Sequence, residues 1–166
     1  MSAMFPIVTF TRTTLAQAND LLVAWHHKMG PLHRGNQGAV CYVLLSDGQP
    51  VAITTASNLI APHVGGGATW LTRENTIELS RLCAERPSLT RVALRLWREF
   101  VFPRGGHQFA ISYQDSDIHT GNTYRFDGWS RIAYSHSGRD TRSGRPGRNK
   151  WVWQWPPTPE LMKPAP

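Results

Sequence analysis

Acid is scarce in this chain: eleven Asp and Glu stand against eighteen Lys and Arg, a formal charge of +7 over 166 residues. A surplus of that size argues against a cationic partner and favours a phosphate-bearing one, whether nucleic acid, an anionic cofactor or a membrane surface. Cysteine is scarcer still. Cys41 and Cys83 are too few for a disulfide framework and too far apart for a CxxC metal knuckle, which points to a reduced, cytoplasmic setting. No apolar run reaches the roughly 18 residues a membrane helix needs. The opening MSAMFPIVTFTR also lacks the basic start and apolar core of an export signal. What is present is a 40% hydrophobic chain with seven tryptophans. That suffices to bury a core, and the length suits one domain, expected over residues 1–156, with a proline-rich tail at 157–166.

Periodicity supplies the elements. FPIVTF reads as a strand, and TTLAQANDLLVAWHHKM as a helix with Leu15, Ala18, Leu22, Trp25 and Met29 on one face and Thr13 or Thr14 as cap. AVCYVLLS and PVAITTAS form a hairpin about Asp47-Gly48-Gln49. IAPHVGGGATWLTREN is a turn-rich excursion, and TIELSRLCA a strand that carries Glu78 and Arg81 between residues that look buried. Ser88 is the expected cap of LTRVALRLWREF, whose stripe is Leu89, Val92, Ala93, Leu96, Trp97 and Phe100, with Arg91, Arg95 and Arg98 opposite. QFAISY, SRIAYSH and KWVWQW are strands, and HTGNTYRFDG a short helix or turn. Strands separated by helices in the second half predict an α/β fold with a mixed central sheet, flanking helices and parallel crossovers.

Charge is uneven. Between Arg131 and Lys150 six cations face the single Asp140, so +5 of the +7 lies in one segment. Its glycine- and arginine-rich centre, residues 137–149, reads as a basic loop presented between two strands. Arg139, Arg142, Arg145, Arg148 and Lys150 are its candidate phosphate contacts, positioning nucleic acid without reading sequence, against the alternative of a merely solvated loop. His26, His27 and His33 are the one local histidine cluster. A metal would need two or three of them to converge with a carboxylate, and the competing reading is a helix C-terminus with favourable imidazoles.

Two resemblances then attach to particular motifs. The element order, with TIELSRLCA leading into a helix, QFAISYQD after it, and Tyr124 in TYRFDGW, resembles the GCN5-related N-acetyltransferase fold. In that superfamily a helix N-terminus receives the cofactor pyrophosphate, a splayed strand pair admits its pantetheine arm, and a tyrosine serves the leaving group. More specifically, ELSRLC, ISYQD, HTGNTYRFDGW and WHHKMG resemble the Mom-type DNA-modification proteins of bacteriophages and prophages, over most of residues 1–134. That resemblance implies modification of adenine N6 in double-stranded DNA to N6-carbamoylmethyladenine, which shields phage DNA from restriction in a bacterial host. It also implies acetyl-CoA or a related acyl donor, and iron as a possible metal. One departure is plain: the superfamily's R/Q-x-x-G-x-G/A loop is replaced by AERPSLTRV. Ser88, Thr90 and the helix N-terminus are the anion donors that remain.

On these resemblances the donor-binding residues are expected at Ser88, Thr90, Arg91, Leu82 and Cys83, and the catalytic ones at Asp115, Tyr124, Arg81, Ser112, Tyr113 and Glu78. Adenine N6 is a weak nucleophile, so transfer needs a proton acceptor and an orienting pocket, and the base must leave its stack. Asp115 is placed as the acceptor at a strand end. Tyr124 is either the general acid or a packing partner of Trp129. Arg81 either orients Glu78, Asp115 or the donor, or lies at a strand edge in solvent. Tyr113, with Trp129 and His119, is a candidate to stack on an everted adenine. The sequence leaves the oligomeric state open, with a homodimer one possibility. Two other classes remain open: an N-acetyltransferase acting on a small amine or another hypermodified base, and a catalytically inactive basic DNA-binding module.

Overall fold

The computed structural model of the protein describes residues 5–34, 37–136 and 147–158. Among the described residues are seven strands and three α-helices: β1 (Val8–Thr13), α1 (Leu15–Ala24), β2 (Val40–Ser46), β3 (Gln49–Asn58), β4 (Thr76–Ala84), α2 (Pro87–Leu96), β5 (Phe109–Asp115), α3 (Asn122–Phe126), β6 (Ser130–Ser135) and β7 (Lys150–Trp155). The strands hydrogen-bond in the order β1-β2-β3-β4-β5-β7-β6. The expected mixed sheet with flanking helices is therefore present, and within it β4 and β5 run parallel while β5-β7 and β7-β6 are antiparallel. Two compact units divide the chain, one of Met1–Asn58 with Leu79–Gly106, the other of Leu59–Glu78 with His107–Pro166.

In the first unit, Thr14 caps α1 through a complete capping box with Gln17, in which the Thr14 hydroxyl accepts the Gln17 N–H at 3.1 Å. Ala18 and Leu22 of α1 pack on Cys41, Val43, Ile53 and Cys83, and Ala93 of α2 packs with Leu44, Val51 and Ala52. Each fully buried leucine contributes ~2 kcal/mol. The hairpin turn is Asp47-Gly48, with φ of 49° and 78°, the left-handed pair a two-residue turn demands.

Two helix expectations need correction. α1 stops at Ala24 and His26 turns left-handed at φ 53°, so Met29, 42% exposed, is not on its buried face. α2 begins one residue before Ser88. Pro87 takes the first helical position, where its fixed φ and missing N–H carry no penalty. Arg86 is the N-cap, without a side-chain cap bond. The buried stripe is Ala93, Leu94 and Trp97. Val92 and Phe100 are exposed, and the wider π-helical turn Trp97–Val101 shifts the phase of Phe100.

In the second unit, Leu59, Val64, Ala68 and Leu71 of the turn-rich excursion close with Ile111, Ala133 and Val152 into a core cluster. The parallel ladder consists of Thr76↔Phe109, Ile77↔Ala110 and Glu78↔Ile111. β5 then continues through Ser112–Asp115 in register with β7, whose partners there are Trp153, Val152, Trp151 and Lys150.

Candidate functional site

Side chains alternate along a strand, so the stretch Ser112 to Asp115 addresses two faces. Ile111 and Tyr113 share the face of Val152 and the core cluster. Ser112 and Gln114 share the other with Trp153 and Trp151. On this second face the Tyr124 and Ser112 hydroxyls meet at 2.8 Å. The Tyr124 ring stacks on Trp153 at 5.7 Å and 22°, and meets Trp129 edge-on at 5.6 Å and 67°. Trp129 is itself fixed, donating its Nε1–H to Asp127 at 2.9 Å. Burial pushes the Tyr124 phenol above the ordinary tyrosine range, and the Ser112 hydrogen bond pulls the other way. Tyr124 therefore packs against Trp129, the second of its two readings, while its buried phenol holds its proton more tightly than a free tyrosine.

Gln114 locks this arrangement. Its Oε1 accepts Trp153 Nε1–H at 2.8 Å and its Nε2 donates to the His119 carbonyl. Neither Gln114 nor Trp153 stands among the sequence candidates. The signal was available in the matched alternation of ISYQD and KWVWQW, which puts both on one face of neighbouring strands.

The remaining candidates of this unit lie elsewhere. Asp115, half-buried, is on the Tyr113 face, and its Oδ1 accepts the Asp117 N–H at 3.0 Å, forming the turn that follows β5. Tyr113 borders the core cluster, with Lys150 Nζ 5.6 Å from its ring centre. Lys150 is thus a strand residue of β7, in register with Asp115 and Ser135, rather than part of the loop. Glu78 is buried on β4, in register with Ile111. Arg148 is half-buried. Arg139, Arg142 and Arg145 lie outside the described residues.

In the first unit Arg81 is buried, and its named hydrogen bonds run to backbone carbonyls: Nε to Gly30 at 2.9 Å, Nη1 to Ser80 at 2.8 Å and Nη2 to Pro31 at 3.4 Å. These bonds tie the segment after α1 to β4, and the burial of Arg81 excludes the solvent-exposed alternative. Arg81→Met is expected to cost on the order of 3 kcal/mol, because it leaves three part-buried carbonyls without their charged donor. The denaturant midpoint would fall at an unchanged slope, and Arg81→Lys, which lacks the planar fork, should recover only part. A midpoint within error of the parent protein would refute the clamp.

Leu82 packs beside the Leu44–Ala93 cluster and Cys83 lies within the Leu22–Ile53 cluster. Both side chains are used in the core rather than presented to a donor. Burial raises the thiols of Cys83 and Cys41 above their ordinary value. His26 and His33 are exposed, and His27 Nδ1 accepts the Met29 N–H at 3.2 Å. Among the described residues no group of three or more His, Cys, Asp or Glu could hold a metal ion, so the histidine cluster gives iron no site.

The turn from β4 to α2 is only Glu85-Arg86. Pro87 has no N–H, and Leu89 N–H is directed onto the Arg86 carbonyl at 3.0 Å. The Ser88 N–H and hydroxyl and the exposed Arg86 side chain lie at this helix start, where an anionic group would be met, with Arg91 exposed one turn on. This set suits phosphate oxygens, with side chains in the place of a glycine-rich backbone cradle.

No protein-family model matches the chain, and no curated protein matches it. Solved structures do. An N-acetyltransferase from Staphylococcus aureus superposes with a TM-score of 0.65 at 7% identity, over 89% of this chain and 96% of that one. A Salmonella typhimurium protein described as an acetyltransferase, solved with its cofactor acetyl-CoA, gives 0.61 at 12% identity over 89% and 92%. A Bacillus subtilis acetyltransferase in complex with CoA gives 0.57 at 12% over 90% and 97%. What is shared at these identities is the GCN5-related N-acetyltransferase fold. Among the described residues no helix is long and apolar enough to cross a membrane.

Proposed function

We propose that this protein is a group transferase of the acetyltransferase fold whose acceptor is adenine N6 in DNA, with N6-carbamoylmethyladenine as product. The observation that carries the reading is the Tyr124–Ser112 hydroxyl pair at 2.8 Å, held between indoles at the end of β5. Its motifs, ISYQD and HTGNTYRFDGW, are those shared with the phage family.

Acyl transfer alone from acetyl-CoA would give N6-acetyladenine, so the donor, when bound, would have to supply the whole carbamoylmethyl group, amide nitrogen included, on a leaving group. Ser88, Thr90, Arg86 and Arg91 would hold its anionic end. The protein's own part is proton management. Tyr124 stays protonated through neutral pH, and its Oη is the proton source for the leaving group. The proton that N6 must lose passes to solvent, since Asp115 lies on the opposite face of β5 from Tyr124 and its carboxylate holds the Asp117 N–H. Net charge and Lys150 favour a polyanionic acceptor.

The fold neighbours favour a second reading, N-acetylation of a small amine. Nucleoside mass spectrometry of plasmid DNA from expressing cells separates the two. The DNA reading expects a deoxyadenosine carrying the added group, strongly diminished by Tyr124→Phe. Unmodified DNA from a well-expressed, folded protein would remove it and leave the small-amine reading.

A further inference from the structure

A second feature of the same unit is an open hollow of about 280 Å³ lined by Arg125, Trp129, Ser130, Arg131 and Trp153. Enclosed small-molecule pockets run from roughly 300 to 1,000 Å³. This one is small and open, so it suits a group projecting from a larger molecule better than a ligand taken up whole.

Its chemistry is one-sided. Two exposed arginines flank it and no acid lines it. The Arg131 guanidinium sits 4.1 Å from the centre of the Trp151 ring and 6.0 Å from that of Trp153. Those contacts orient the guanidinium while leaving its N–H edge able to donate. Ser130 Oγ accepts the Thr158 N–H at 3.0 Å, which leaves its own proton for an outside acceptor. The Trp129 and Trp153 Nε1–H groups are both committed, to Asp127 and Gln114. The buried indoles therefore offer the hollow only apolar surface.

We propose that this hollow is a phosphodiester clamp for DNA, in which Arg125, Arg131 and the Ser130 hydroxyl bind one backbone phosphate and the indole floor meets the adjoining deoxyribose. The clamp deepens the DNA reading above and rests on it. Its polar groups belong to α3 and β6, with Trp153 of β7 in its floor.

The test is the salt dependence of duplex DNA binding, followed by fluorescence anisotropy. Arg125→Gln/Arg131→Gln should weaken binding and reduce the magnitude of the slope of log K against log salt by about 0.9, the contribution of one phosphate. Arg12→Gln/Arg104→Gln, the same charge change at two exposed arginines of the other unit, should leave the slope near that of the parent protein. Arg131→Lys, which keeps the charge, should retain it too, and an unchanged melting temperature in the double variant excludes unfolding as the cause. Parallel calorimetry with CoA covers the other phosphate source. Loss of CoA binding with DNA binding intact would overturn the clamp, as would equal slopes in both double variants. Parent protein that binds DNA while the hollow variants behave like it rejects the clamp alone. Parent protein without salt-dependent DNA binding rejects the DNA reading as well.

Discussion

Tyr124→Phe is expected to slow group transfer by about a thousandfold, the scale of a lost general acid, while the protein stays folded. The substitution keeps the ring that stacks on Trp153 and meets Trp129, and removes one oxygen. Its stability cost should be close to the ~1 kcal/mol of a single hydrogen bond, that to Ser112. The pH profile gives an independent reading. A general acid works only while protonated, so the rate should fall as pH rises through the Tyr124 pKa. Burial places that limb above the ordinary tyrosine value of about 10. Ser112→Ala removes the one contact that lowers this pKa, so the limb should move higher still. Stability follows the same sign. The folded state holds the phenolic proton more tightly than the unfolded chain, so this contribution is complete below about pH 10 and is lost as pH climbs through the folded pKa. The Phe variant should lack that alkaline loss. Full transfer activity in Tyr124→Phe would reduce Tyr124 to an aromatic spacer and remove the main support for the catalytic reading.

How much of this was legible in the sequence depends on which physical signal each element leaves. TIELSRLCA and KWVWQW coincide with β4 and β7 because β-branched and aromatic residues end at turn chemistry on both sides. The Asp47-Gly48 turn declares itself through the residues that tolerate positive φ. The insertion of β7 between β5 and β6 leaves no such mark, since alternation shows which face a residue addresses and not which strand lies beside it. The site shows the same division. Tyr124 and Ser112 could be nominated, yet grouping Ser112 to Asp115 as one constellation ignored the period of two that sends Tyr113 and Asp115 to the opposite face. The start of α2 was also readable, because Pro87 is a better first-turn residue than Ser88 is a cap there. Arg81 was not. A buried arginine in a strand suits a carboxylate or carbonyls equally, and its bonds to Gly30 and Pro31 depend on tertiary placement that no local sequence signal records.

The largest structural effect is expected at Gly121, the residue of HTGN that admits α3 to the face of β5. Its φ of 77° costs an L-residue about 1–2 kcal/mol. A Cβ there would also lie 2.7 Å from Trp153 Cζ2 and press on the Gln114 amide. Neither neighbour can yield cheaply, since Trp153 Nε1–H and Gln114 Oε1 hold each other at 2.8 Å and the Gln114 amide is anchored to His119. Overpacking of this kind adds about 1–3 kcal/mol, so Gly121→Ala should cost about 3 kcal/mol in all. Relief requires α3 to move outward, and the first turn of α3 is anchored at this residue, where Arg125 N–H donates to the Gly121 carbonyl at 3.0 Å. Tyr124 would leave Ser112 with it, so transfer activity should be lost together with a fall in melting temperature of about 10 °C. Gly128 separates the two causes. Its φ of 88° is equally left-handed, but a Cβ there meets Trp155 at an ordinary 3.6 Å. Gly128→Ala should therefore show the backbone cost of about 1–2 kcal/mol without the clash and keep most activity. Equal melting temperatures and equal rates in the two alanine variants would mean that the Gln114–Trp153 wall does not position α3, and that the hydroxyl pair is held by something else.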